Sequence, residues 1–462
     1  MQHSQLHSRR PAEKKTRKFS ARDAARFALS DVFRGGAYAS QAIGRQLNAQ
    51  FFKPEDRRLA TSIFYLAAEN RLQIEYLLRN FLEGEQDPVV EDILHIATAQ
   101  LLYMNRVPDH AAVDEAVKQV RAAKREGLTG LVNAVLHGVI RARDENQLRL
   151  PDRAEDFEGF LSVQYSYAPN LVRRLIAAYG PEEAEKIVSC PPFARQVVRL
   201  NRMKTGEEDF ENYLTSRDVS FARGIVPGAY RCPSSGDLTR LDGFRDGYFS
   251  LQGESSMLAA LAVEPRRGMN VLDACAAPGG KAALIAETMS DVGRVYAWDI
   301  HAHRVDLIRA AKRRMFLDSL RPAVRDARKP YPDFDLLMDA VLVDAPCSGL
   351  GVVGDKPDIK YRLSDKSIEE LIPLQAEILE NCANFVRVGG LLVYSTCTLL
   401  PEENQGQVRA FLEKHPEFRP EENVEYLPEA LRPHVREGML QILPHRDDLE
   451  GFFIARMRRV RA

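Results

Sequence analysis

The sequence predicts a multidomain protein: an all-α bundle, a small α+β domain, and an α/β domain built on a doubly wound, mostly parallel sheet. Three observations predict it. Residues 20–145 show apolar residues at helical spacing only. Residues 157–250 mix one helical run, one strand-like run and many turns. From 251 to 462 short apolar runs alternate with helical segments, the βαβ rhythm of a parallel sheet.

The 462 residues allow several sizeable cores. The net charge of −1 does not by itself announce a nucleic-acid partner. No apolar run reaches membrane-spanning length, and the N-terminus is polar and basic rather than signal-like. The six cysteines have no paired spacing, which argues against a disulfide framework and against a zinc or other metal site. A cytoplasmic protein is expected. Within residues 1–19, Arg9, Arg10, Lys14, Lys15, Arg17 and Lys18 form a basic arm. Such an arm is a footprint for phosphate backbones; taken alone it reads first as a disordered, solvated tail.

In the helical segment, Ala25, Leu29, Val32 and Phe33 share one face, as do Val113, Ala116, Val117 and Val120. Gly35-Gly36, Lys53-Pro54 and Val107-Pro108-Asp109 punctuate it, with Asp109 at an expected helix start. His95, His110 and His137 are scattered and read as surface or satisfied side chains. The charged stretch 146–156, with Pro151, reads as a linker. Leu171 to Ala178 looks helical and stops at Gly180-Pro181, and Gln196 to Asn201 alternates as a strand does. Further on, the strand candidates are Asn270–Asp273, Arg294–Trp298, Pro322–Val324, Ala340–Asp344 and Leu391–Tyr394. Helical runs such as Ala282–Thr288 and Val305–Met315 lie between them, and Leu440–Pro444 with Gly451–Arg456 suggests a final antiparallel hairpin.

Chemistry in such sheets collects beyond the carboxyl ends of the strands. The first strand runs into Asp273-Ala274-Cys275-Ala276-Ala277-Pro278-Gly279-Gly280-Lys281, where small residues let a ligand approach the backbone and a helix then presents free N–H groups. The spacing matches neither GxGxxG nor a P-loop. Asp299 ends the second strand, where a carboxylate can take both hydroxyls of a ribose. Asp326 follows the third, where it could accept from an exocyclic amine. Together they suggest S-adenosyl-L-methionine rather than a dinucleotide; singly, each aspartate could merely cap a helix.

Two further strands end in thiols, Asp344-Ala345-Pro346-Cys347-Ser348-Gly349 and Tyr394-Ser395-Thr396-Cys397-Thr398. A free cysteine is usually a buried, inert one, and that reading suits Cys190, Cys232 and Cys382, the last on the helical run Leu374–Val386. Cys347 and Cys397 differ: both are expected in one crevice, beside Asp344. Cytosine C5 is a poor nucleophile until a thiolate adds at C6. A carboxyl group near N3 must then stabilise the developing charge, and a base must remove the C5 proton. Cys397, Asp344 and Cys347 are the residue types this cycle needs.

At these residues the chain resembles the Sun-type (Fmu or RsmB-type) bacterial ribosomal RNA cytosine-C5 methyltransferases. The match is carried by Asp273–Lys281, Asp344–Gly349, and Tyr394–Thr398 with Pro401-Glu402-Glu403-Asn404. Lys356-Pro357-Asp358-Ile359-Lys360-Tyr361 and Glu450-Gly451-Phe452-Phe453-Ile454-Ala455 add to it. Upstream, Arg106 to Val113 and Leu131 to Leu136 look like the NusB-like helical domain fused to ribosomal members. The resemblance implies a Rossmann-like methyltransferase domain of the seven-stranded type over 251–462. It implies RNA-binding roles for the NusB-like 20–145 and the α+β 157–250 segments. Cys275, Ala276, Ala277, Pro278, Gly279, Gly280 and Lys281 would wrap the methionine part of S-adenosyl-L-methionine. Asp299 would hold the ribose and Asp326 the adenine. Asp344 would lie near cofactor and base, Cys397 would be the nucleophile, and Cys347 would assist product release. Lys281 would help fix the acidic network.

Three residues depart from the family pattern: Ala282 replaces a frequent Thr, Gly253 stands where an acidic residue is common, and Glu450 replaces the usual Asp before Gly-Phe-Phe. The leading expectation is a monomeric enzyme that methylates a single-stranded or flipped cytosine in small-subunit (16S) ribosomal RNA. The alternatives are a DNA cytosine-C5 methyltransferase using Cys347, and a non-catalytic RNA-binding or antitermination factor with a relic methyltransferase domain.

Overall fold

A computed structural model describes residues 19–191, 195–233 and 236–461. The basic residues of the N-terminal arm lie outside them. The chain forms two compact units divided between Pro151 and Asp152.

The first unit is helical: α1 Ala21–Phe33, α2 Ala39–Asn48, α3 Pro54–Glu69, α4 Arg71–Leu78, α5 Pro88–Tyr103, α6 Asp109–Ala122 and α7 Thr129–Asp144. Ser20 starts α1 with a reciprocal cap, its side chain accepting from Asp23 N and the Asp23 carboxylate from Ser20 N. Fully buried Ala24, Ala25, Ala28, Ala60, Ala67 and Ala68 let α1 and α3 pack closely on α5. Phe19 packs edge-on against Phe27 and Phe52. Helix α6 starts at Asp109 as the sequence suggests, but Pro108 occupies the cap. The Asp109 carboxylate instead takes a two-pronged bond from Arg143 of α7, at 3.0 and 2.7 Å.

The second unit opens with α8 Phe157–Tyr165, α9 Pro169–Tyr179 and α10 Pro181–Ser189. Their apolar faces share a core with Leu350, Ile368, Leu399 and Leu400, so these helices back the loops after the two thiol-bearing strands. A four-stranded antiparallel sheet follows, in the order β2-β3-β1-β4, from β1 Arg195–Leu200, β2 Ala222–Arg223, β3 Ala229–Pro233 and β4 Phe249–Leu251. Helices α11 Glu207–Ser216 and α12 Asp242–Arg245 lie between its strands, and α13 Glu254–Leu261 leads on.

The main sheet comprises β5 Asn270–Asp273, β6 Arg294–Asp299, β7 Leu320–Val324, β8 Met338–Asp344, β9 Val386–Thr396, β10 Phe418–Pro420, β11 Met439–Ile442 and β12 Phe452–Arg459. Seven strands follow the order β10-β12-β9-β8-β5-β6-β7, and β11 pairs with β12. The five from β7 to β9 are parallel; β12 runs antiparallel to β9. Around it lie α14 Gly280–Thr288, α15 Ala302–Met315, α16 Ile359–Arg362, α17 Asp365–Ala383, α18 Gln405–Lys414 and α19 Pro444–Asp447. Val341, Leu342 and Val343 are fully buried on both faces, which is why β8 reads as a continuous apolar run.

The chain winds from β5 outward to β7, then crosses back to place β8 against the other edge of β5. This reversal creates the crevice where doubly wound sheets bind ligands. Strand β9 begins earlier than the sequence suggests: Val386 pairs with Met338, and the register slips before Leu391 pairs with Ala340. Gly389-Gly390 lies in that slip, and so hides the first part of the strand from a reading of apolar alternation.

Candidate active site

Five strand ends meet at the crevice. Strand β5 ends at Asp273 and turns through Ala274–Gly279 into α14. The turn is fixed by its own backbone: Ala274 N donates to Leu342 O at 2.9 Å, Ala276 N to Trp298 O at 2.7 Å, and Gly279 N to Ala276 O at 2.7 Å. Gly279 has φ +107°, and a Cβ there would come 3.2 Å from Ile308 Cα. Only glycine suits that conformation at that distance.

Asp299 ends β6 and is nearly buried; His301 N donates to its Oδ1 at 2.9 Å, and Arg304 pairs with Oδ2 at 3.2 Å. The turn-capping role and the crevice position therefore coexist. Asp326, just past β7, is held by the Arg328 guanidinium at 3.0 and 2.8 Å, which pulls its pKa below the ordinary value.

Asp344 ends β8. Lys281 Nζ donates to Oδ2 at 2.7 Å, and Ser395 Oγ of β9 donates to Oδ1 at 2.9 Å. Lys281 Nζ also lies 5.5 Å from the Phe452 ring centroid. Asp273 is 1% exposed and neither carboxylate oxygen finds a hydrogen-bond partner. Burial, reinforced by the Asp344 charge and opposed by Lys281, pushes its pKa up to about 7.

The sulfurs of Cys347 and Cys397 stand 3.4 Å apart, 50 residues apart in sequence. Their environments differ. The hydrogen bond from Cys347 lowers the Cys397 pKa, aided by Lys356 and Lys281 and opposed by burial and Asp344. Cys347 is raised by that same bond, by burial, and by Glu403 and Asp344. Cys397 is thus the more readily ionised thiol of the pair and Cys347 the less. Cys275 sits in the first turn, where burial raises its pKa, and Cys382 is fully buried on α17.

Glu403 and Asn404 hold the thiol loops together, a task their position in the sequence did not reveal. Glu403 is fully buried. Its carboxylate accepts from Ser348 N at 2.9 Å, from Ser348 Oγ, and from Gln375 Nε2 at 2.8 Å. Tyr394 OH donates to its carbonyl at 2.7 Å. Thr396 Oγ1 donates to Asn404 Oδ1, and Asn404 Nδ2 donates to Thr398 O at 3.1 Å and Gln441 Oε1 at 2.8 Å. Lys356, which acts on Cys397, was likewise legible only as part of a motif. Gly351 N donates to Cys397 O at 2.9 Å, and a Cβ on Gly351 would lie 1.9 Å from Gly451 O.

The structure therefore brings Cys347, Cys397, Asp344, Lys281 and the Cys275–Lys281 turn to one crevice, with Asp299 and Asp326 at the next two strand ends. A glycine cradle, free N–H groups at the start of α14 and an acidic residue at the end of β6 fit an aminoacyl nucleoside. Fold and site define a methyltransferase that uses S-adenosyl-L-methionine. Residues 260–458 match the family model described as 16S rRNA methyltransferase RsmB/F, and residues 20–141 match the NusB family. A Bacillus subtilis (strain 168) protein named "Probable ribosomal RNA small subunit methyltransferase B" is 36% identical over 450 residues, covering 96% of this chain and 99% of that one. A Synechocystis protein of the same name is 33% identical, covering 95% and 99%. The solved structure titled "Crystal Structure of PH0851" is 25% identical with TM-score 0.79, covering 96% of this chain and 100% of that one. NSun6 from Pyrococcus horikoshii, solved with SFG, shares the fold at 24% identity and TM-score 0.57, covering 63% and 98%. The chain belongs to the RsmB/F family of 16S rRNA methyltransferases.

Among the described residues no helix is long and apolar enough to cross a membrane, and no group of three or more His, Cys, Asp or Glu side chains could hold a metal ion.

Proposed function

We propose that this protein methylates C5 of a cytosine in small-subunit ribosomal RNA through a covalent bond from Cys397 to C6. The observation that carries the reading is the sulfur pair, 3.4 Å apart at the ends of two adjacent parallel strands, beside Asp344. The curated relatives, named small subunit methyltransferases, supply the substrate.

Cys275–Lys281 would hold S-adenosyl-L-methionine, with Asp299 at its ribose and Asp326 at its adenine, and the cofactor would supply an electrophilic methyl group. The Cys397 thiolate adds to C6, and the ring electrons move toward C5. Asp344, fixed by Lys281 and Ser395, meets N3, and a proton shared between its carboxyl group and N3 neutralises the negative charge displaced there. Once C5 carries the methyl group, its proton leaves to a base, the C5–C6 double bond re-forms and the Cys397–C6 bond breaks. Cys347, whose raised pKa keeps its proton, returns a proton to the departing Cys397 sulfur and so assists release. The helical unit, residues 157–250 and the basic arm bind the RNA around a flipped or single-stranded cytosine, and the chain works as a cytoplasmic monomer.

The test is covalent trapping on small-subunit RNA with cofactor, read on a denaturing gel. Cys347→Ala is expected to accumulate a protein–RNA adduct, and Cys397→Ala to form none. The reverse pattern would make Cys347 the nucleophile, as in a DNA-type mechanism.

A further inference from the structure

Two of the departures from the family pattern meet in space. A Cβ on Gly253 would lie 2.4 Å from Glu450 Oε1. An acidic side chain at 253 and a glutamate at 450 therefore cannot share this volume. The longer side chain at 450 occupies the room that the missing one at 253 leaves.

Its neighbours place this carboxylate at the reacting crevice. On one side, the Gln252 side chain packs over Gly280, where a Cβ would lie 3.6 Å from the Gln252 amide carbon; Gly280 opens α14 directly after the cofactor turn. On the other side, Gly451 N donates to Gly351 O at 2.9 Å, and Gly351 N donates to Cys397 O at 2.9 Å. Phe452, two residues on, touches Lys281. Ser255 Oγ donates to the Glu450 carbonyl at 2.7 Å, which fixes the backbone beneath the side chain. Adjacent Glu254 is already committed: Arg231 pairs with it, and Val226 N donates to it at 2.9 Å. Glu450 is not so committed. Burial raises its pKa, Asp355 adds to the rise, and only its own N–H and that of Ser255 counter it by hydrogen bonding. A carboxylate has about four acceptor positions, so room for a ligand donor remains.

We propose that the Glu450 carboxylate accepts a hydrogen bond from the exocyclic amine of the target cytosine and thereby selects cytosine over uracil. The two bases differ on that edge by an amine against an oxygen. A carboxylate accepts from the first and repels the second. This inference rests on the cytosine-C5 reading above.

The test uses full-length protein and two in vitro transcripts of small-subunit RNA, one carrying 5-fluorocytidine and one 5-fluorouridine. Fluorine at C5 blocks the final elimination, so each productive attack leaves a permanent adduct. Wild type is expected to trap the fluorocytidine RNA and to ignore the fluorouridine RNA. Glu450→Gln, whose amide can donate as well as accept, is expected to lower the cytosine-over-uracil ratio of trapping rates by about 10- to 100-fold. Its cofactor affinity, read by calorimetry, should stay within about twofold, which separates base selection from misfolding. The double variant Gly253→Asp/Glu450→Gly returns a carboxylate from the other side of the cleft and should recover cytosine preference. An unchanged ratio in Glu450→Gln would overturn the proposal. Absence of any adduct between wild type and fluorocytidine RNA would instead overturn the cytosine-C5 reading itself.

Discussion

At the scale of single residues, the crevice separates two cysteines that composition cannot tell apart. The hydrogen bond between them, with Lys356 and Lys281, favours ionisation of Cys397 against burial and Asp344; that same bond, burial, Glu403 and Asp344 all disfavour it at Cys347. Asp273 is the other unusual group. It keeps its proton to about pH 7 in the folded chain, against 3.8 for an ordinary aspartate. Below about pH 4 both folded and unfolded chains hold that proton, and there is no penalty. Between about 4 and 7 the folded chain binds more protons than the unfolded one, so stability falls as pH rises. Asp273→Asn should remove on the order of 3 kcal/mol of that decline, seen as a flatter profile of melting temperature from pH 5 to pH 8. A profile parallel to wild type would show that Asp273 ionises normally. Residue types and strand-end positions exposed Cys347, Cys397, Asp344 and Asp299 in the sequence. Glu403, Asn404 and Glu450 were visible only as members of motifs; what they hold was not, because Ser348, Gln375, Gln441 and Ser255 come from segments far away in the chain.

At the scale of elements, the two thiol loops are held by backbone as much as by side chains. Gly351, in the loop after β8, donates to the Cys397 carbonyl, and Gly451, at the entry to β12, donates to the Gly351 carbonyl. There is no space for a methyl group at Gly351, so Gly351→Ala must push β12 and the β8 loop apart. The expected result is a fall in methylation rate of about 100-fold, consistent with a displacement near 1 Å at the reacting groups. Cofactor affinity, measured by calorimetry, should change far less, because the Cys275–Lys281 turn is anchored separately on Leu342 and Trp298. Equal losses in both would mean that the two loops and the turn form one rigid piece. The parallel strands were legible as short apolar runs flanked by turn residues. The start of β9 was not, because the register slip at Gly389-Gly390 breaks the apolar pattern without ending the pairing.

At the scale of the whole molecule, each of the two units has its own apolar core: one is built from residues 21–139, and the others lie from residue 161 onward. A chain of residues 152–462 should therefore unfold in a single cooperative transition and bind S-adenosyl-L-methionine within about twofold of the full-length affinity. A broad, non-cooperative melt would show that the second unit needs the first. Sequence periodicity separated the helical part from the rest, since helical and strand spacing differ plainly. It could not order the sheet, because strand order depends on crossovers that leave no local trace. That order has a consequence for synthesis. Strand β9, which leads into Cys397, has its second neighbour in β12, and β12 is made only after α18, β10 and β11. Until β12 has been translated, one edge of that strand has no partner, with Leu391, Leu392, Val393 and Tyr394 alongside it. The nascent protein thus carries an open, apolar sheet edge until β12 is made, and a message cut short before β12 yields a chain prone to stick to others rather than a weaker enzyme.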